Sequence, residues 1–95
     1  MNGVRGEVGL LIGGRERRLC LTLGALAEIE AAFGCDRMSE LDARMRALRG
    51  ADMVVELGAL LRGGEGLKAV LDAGEVSPGA AAAAVAEAFR LGLAG

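Results

Sequence analysis

The chain has 95 residues and a formal charge of −2, and its 53% hydrophobic content includes two Phe but no Trp or Tyr. That length makes a single domain, 1–95, near the lower limit of what folds without staples, with a thin Ala/Leu/Val core to which a partner subunit would add stability. The absence of His removes imidazole triads, His metal ligands and His general bases, and a balance of +1 over residues 1–50 and −3 over 51–95 lacks the basic excess of a direct nucleic-acid binder.

The first recognisable unit spans residues 5–22. Val8, Leu10 and Ile12 alternate with Glu7, Gly9 and Leu11; after Gly13-Gly14, Leu19 and Leu21 alternate with Arg18 and Cys20. Two alternating runs around a glycine pair predict a β-hairpin, because glycine supplies the positive φ that tight hairpin turns require. A two-residue turn pairs Ile12 with Arg15 and Val8 with Leu19. Val8, Leu10, Ile12, Leu19 and Leu21 then share one face. Arg15, Arg17 and Arg18 form a basic cluster near the tip, read first as solvated charge that blunts a sheet edge and second as a docking point for an acidic partner. Both edges of such a two-stranded sheet are open to strand addition.

Thr22 is placed to cap a helix whose apolar positions are Leu23, Leu26, Ile29 and Phe33, with Glu28 and Glu30 toward water and Gly34 at its end. A second helix is expected from Ser39 to Arg49, with Leu41, Met45 and Leu48 as its stripe. Asp52 then caps a third, carrying Met53, Val54, Leu57, Leu60 and Leu61 and stopping at Arg62-Gly63-Gly64. A short helical piece with Leu67, Val70 and Leu71 runs to Gly74. Ser77-Pro78 opens the last helix, which continues to about Leu91 or a little beyond. Together these elements predict an α+β fold, a two-stranded hairpin (5–22) packed against a helical part (23–94) of about four short helices.

The last helix has an alanine run at 80–84 and only Glu87 and Arg90 as charges. A helix apolar on nearly every side is usually buried on several sides, which a domain this small does not easily provide. It is read as a loosely packed terminal helix or as a docking surface, with Val85, Phe89, Leu91 and Leu93 as the partner-binding candidates.

No catalytic, cofactor or metal site emerges. Cys20 sits on a strand without a base and Cys35 follows a helix C-terminus, where the dipole disfavours a thiolate. Both are expected as reduced structural thiols, and with no apolar leader at the start of the chain and no run long enough to span a membrane, a cytoplasmic location is expected. Residues 62–68, Arg-Gly-Gly-Glu-Gly-Leu-Lys, lack the strand–loop–helix context and the Lys-Ser/Thr ending of a P-loop. Those glycines are read as a flexible connection between helices.

Arg5-Gly6-Glu7-Val8, the Gly13-Gly14 turn, and Leu21-Thr22-Leu23-Gly24-Ala25-Leu26-Ala27-Glu28-Ile29-Glu30 followed by Phe33-Gly34 resemble the gene transfer agent family of small phage-tail proteins. Ser39-Glu40-Leu41, Leu60-Leu61-Arg62-Gly63-Gly64 and the Ala-rich terminal helix follow the same layout. The resemblance covers nearly the whole chain and is most specific in the first 35 residues. It implies a non-enzymatic role in building the tail of a phage-like particle, with other tail proteins as partners and the particle as a second location. The first expectation is a tail assembly chaperone acting with the tape-measure protein. The alternative is a structural tail tube component, polymerising through sheet edges around the hairpin. An unrelated alternative is a small regulatory module that assembles with further copies of itself through its helices.

Overall fold

The computed structural model describes residues 6–34 and 49–94. Strand β1 (Val8–Ile12) and strand β2 (Arg15–Leu19) form an antiparallel hairpin with Val8 opposite Leu19 and Ile12 opposite Arg15. This is the register read from the sequence. Gly13 and Gly14 both have positive φ, 61° and 80°, as a type I′ turn demands. Leu10, Ile12, Leu19 and Leu21 are buried on the shared face, and Val8 packs against them. The pairing ends at Leu19 rather than at Thr22, because the Cys20 N–H turns away from β1 to a helix.

Helix α1 (Leu23–Phe33) begins where expected: the Thr22 hydroxyl oxygen accepts from the Ala25 N–H at 3.1 Å. It ends at Gly34, left-handed at φ 68°. Its buried side is not the expected one at the start, since Ala25 and Ile29 are buried, Leu26 and Phe33 are half-buried, and Leu23 is 82% exposed. The expectation that α1 covers the apolar face of the hairpin is corrected: α1 packs on the helix at 50–65, not across the sheet, and the short Ala25 side chain faces Gly63 of that helix.

Helix α2 (Gly50–Glu65) is the centre of the molecule, with β2, α1 and the last helix all packed against it. Asp52 caps it, though from inside the first turn: its Oδ2 accepts from the Arg49 N–H at 3.2 Å, and Arg49 is the cap residue. The expected stop at Gly63-Gly64 is corrected, since both glycines are helical and α2 ends only at Gly66. Their role is close approach. A Cβ built on Gly63 would run into the Cys20 carbonyl oxygen and lie 3.2 Å from Thr22 Oγ1. One on Gly64 would lie 2.7 Å from the carbonyl carbon of Arg18. The helix therefore lies directly on the backbone of residues 18–20.

The short helical piece expected from Leu67 to Gly74 is also corrected. After Gly66, at φ 109°, the chain runs irregularly to a single 3-10 turn, Ala73–Glu75, and Leu67 and Val70 are exposed. So short a helix is unstable alone. Here the backbone bonds outward instead, with the Val70 carbonyl accepting from Arg17 and the Glu75 carbonyl from the Gly13 N–H.

Helix α3 (Pro78–Ala94) starts at the expected proline, with the Ser77 hydroxyl oxygen accepting from the Ala80 N–H at 3.2 Å. It crosses α2 and β1. Gly92 lies against Leu21, where a Cβ would come within 2.7 Å of the Leu21 Cβ. The described residues hold three α-helices rather than about four; the helix expected at 39–49 lies outside them except for Arg49.

Candidate assembly surface

Successive residues of a strand direct their backbone groups to opposite sides. The pairs 8↔19, 10↔17 and 12↔15 bond within the hairpin. Glu16, Arg18 and Cys20 therefore present their backbone on the outer side of β2, and Gly9 and Leu11 on the outer edge of β1.

The β2 edge is covered at Arg18 and Cys20, and only Glu16, beside the turn, keeps outward backbone groups that no described residue satisfies. The Arg18 N–H donates to Glu65 Oε2 at 2.9 Å, and the Cys20 N–H donates to the Leu60 carbonyl at 3.0 Å. Both acceptors belong to α2, and Gly63 and Gly64 let the helix come near enough to offer them. Glu65 also takes the Arg17 guanidinium, with Nη2 donating to Oε1 at 2.8 Å and Nε to both oxygens at 3.1 Å. The Arg17 guanidinium and then the Arg18 N–H hold the Glu65 carboxyl below the usual carboxylate range. Glu65→Ala removes the ion pair and strands the Arg18 N–H. The expected loss is about 2 kcal/mol of stability, measured by urea denaturation, with a smaller loss for Glu65→Gln.

The β1 edge is different. At its turn end the Gly13 N–H is taken by the Glu75 carbonyl at 3.1 Å. Among the described residues no hydrogen bond reaches the outward N–H groups of Gly9 or Leu11. The strand reads Val-Gly-Leu-Leu-Ile, without charge or proline to blunt it. Leu11 stands 65% exposed on the outer face of the sheet. The Glu16 carboxylate lies over the bare Cα of Gly9. Of the two edges expected to be open, only β1 thus keeps more than one residue with unsatisfied outward backbone groups among the described residues.

A model of the family described as phage tail tube protein, GTA-gp10, matches residues 5–95. The chain belongs to that family. No curated protein and no solved structure matches it. The GTA-gp10 match extends through the last two helices, well past the first 35 residues where the resemblance read from the sequence was most specific.

In this member of the family the residues singled out from sequence separate. Arg17 is drawn onto Glu65 with its side chain 14% exposed, whereas Arg15 and Arg18 face solvent. On α3, Val85 (1%) and Phe89 (9%) belong to the core, Leu91 is half-buried beside Gly6, and Leu93 is 52% exposed. Small side chains explain the difference: Ala81 and Ala84 of the alanine run and Ala88 beyond it are buried, so α3 sits close enough to α2 and β1 for Val85 and Phe89 to reach inward. Burial, and then the Glu7 carboxylate, push the Cys20 thiol up, which disfavours a reactive thiolate. Cys35 lies outside the described residues. No helix among the described residues is long and apolar enough to cross a membrane, and they contain no cluster of three metal-ligating side chains.

Sequence reasoning missed one residue altogether. Glu56, one turn beyond Asp52, is fully buried, and neither carboxylate oxygen has a hydrogen-bond partner among the described residues. Burial, and then the nearby Asp52 charge, push its carboxyl up to about 7. Its signal was positional, since it lies next to Leu57 and one turn before Leu60 on the side of α2 that the core covers.

Proposed function

We propose that this chain is a structural component of the tail tube of a gene transfer agent particle, present in many copies and working without catalysis or cofactor. The observation that carries the reading is the tail tube family match over residues 5–95. It favours a tube component over the chaperone first expected. The exposed β1 edge and the apolar side chains Leu11, Leu23 and Leu93 suit a protein that meets other tail proteins. The chain would be made in the cytoplasm and end in the particle. Growth of a continuous sheet from subunit to subunit needs two open edges per subunit, so in this reading the tube closes through helical surfaces as well as strands. The α3 contact proposed from sequence then narrows to Leu93 and the half-buried Leu91.

Quantitative mass spectrometry of purified particles tests this. The expected result is this chain at a copy number well above that of the tape-measure protein. Its absence from finished particles, together with co-purification of the free chain with the tape-measure protein, would replace the tube reading with the chaperone.

A further inference from the structure

The two edges of the hairpin differ in a way that selects a partner. With β2 covered at Arg18 and Cys20 by Glu65 and Leu60 and only Glu16 left beside the turn, each molecule offers one edge long enough to pair, and a single edge on each of two identical molecules pairs as a two-fold, self-complementary contact. We propose that β1 pairs antiparallel with β1 of a second copy of this chain, centred on Leu10, to make a four-stranded sheet. This goes beyond the tail tube reading and does not depend on it.

The register follows from which groups are available. Pairing centred on Leu10 sets Gly9 opposite Leu11 of the second copy, and Leu11 opposite its Gly9. These four residues carry the outward backbone groups that no described residue satisfies, so four hydrogen bonds form and none is broken. A register centred on Leu11 would call on Gly13, whose N–H already serves Glu75. One centred on Gly9 would set two bare glycines against each other and Glu7 against Leu11. The Leu10 register instead lays the exposed Leu11 side chain over the position where Gly9 has none. Glu16, an exposed side chain now over Gly9, swings to Arg18, two residues along the same face. β1 carries no charge of its own, so no like charges oppose across the two-fold axis.

Two five-residue strands bury much less than the ~1,200 Å² of a stable interface, so the contact is a weak, concentration-dependent dimer. It is tested on the full chain by sedimentation velocity over a wide concentration range, with Leu11→Lys as the comparison. The wild type should dimerise reversibly, and Leu11→Lys should weaken the dimer at least about tenfold while leaving the circular dichroism spectrum unchanged. Hydrogen exchange of the wild type reads the register independently of any variant: the Gly9 and Leu11 amides should slow as concentration rises, and the Arg18 and Cys20 amides should not change. A chain that stays monomeric throughout, a dimer that Leu11→Lys leaves intact, or concentration-dependent protection elsewhere than Gly9 and Leu11 would overturn the proposal. Particle mass spectrometry addresses the tube reading separately, so either can fail without the other.

Discussion

Glu56→Leu should stabilise the domain by about 3 kcal/mol at pH 8, a gain of the size seen when buried charge gives way to apolar side chains. The wild-type carboxylate is fully buried and lacks a hydrogen-bond partner for either oxygen among the described residues. Removing a charge and two unsatisfied acceptors from such a site relieves a penalty, whereas the leucine fills a similar volume. The folded-state value of about 7 against an ordinary 4.5 also fixes the direction of the pH dependence. Between those values the folded chain holds a proton that the unfolded chain has lost, so stability falls as pH rises. The penalty is absent below about pH 4.5, grows through the interval, and is complete above about 7, where it amounts to about 3 kcal/mol. Urea denaturation of both proteins at several pH values checks this. The difference between Glu56→Leu and wild type should widen from pH 4.5 to 7.5 and then level off. A difference that does not change with pH would show that the carboxyl titrates normally.

Gly63→Ala should cost at least about 3 kcal/mol, even though alanine in a helix interior is intrinsically better than glycine by about 1 kcal/mol. The new methyl would meet the Cys20 carbonyl oxygen, with Thr22 Oγ1 at 3.2 Å and the Ala25 Cβ at 3.3 Å close behind. Backbone cannot step aside as a flexible side chain does. The helix must instead lift from β2, which lengthens the Cys20–Leu60 hydrogen bond and draws Glu65 away from Arg18. Gly58 on the same helix is the comparison. A Cβ there would meet only the Arg62 guanidinium, at 3.3 Å, and that side chain can shift. Gly58→Ala should therefore be neutral or stabilising by up to about 1 kcal/mol. One substitution at two sites of one helix gives opposite signs, and thermal or urea unfolding reads both. Equal effects would mean that the close approach at Gly63 is not what holds α2 on the strand.

The hairpin was readable because its rules are local. Two glycines at the turn set the pairing, and alternation then assigned Val8, Leu10, Ile12, Leu19 and Leu21 to one face. The Thr22 cap, the left-handed Gly34 and the Ser77-Pro78 start depend likewise on a few neighbouring residues. Gly63 and Gly64 were misread because the same residue type serves two purposes. Glycine ends helices where the chain needs positive φ, but it also continues them where another backbone must come close, and only the position of β2 separates the two. Leu23 was misplaced for a related reason: helical spacing fits it to the stripe, yet α1 packs on α2 instead of the sheet, and the side it turns inward is that of Ala25 and Ile29.

The assembly surface was legible only in part. The resemblance carried by Leu21 to Glu30 pointed to the tail family, and the family match extends that assignment to residue 95. Val85 and Phe89 were offered to a partner because α3 looked too apolar for a small domain to bury, and three alanines allow the close packing that buries them.

The hairpin unit that opens the chain shows where the division falls. Its register, its turn and the helix cap that follows were determined by the sequence alone, because hydrogen-bond geometry and side-chain alternation act over a few residues. Which of its edges is left open was decided by the tertiary structure. Glu65 and Leu60 lie forty residues or more beyond their partners in the chain, and only the packing of α2 brings their acceptors to β2.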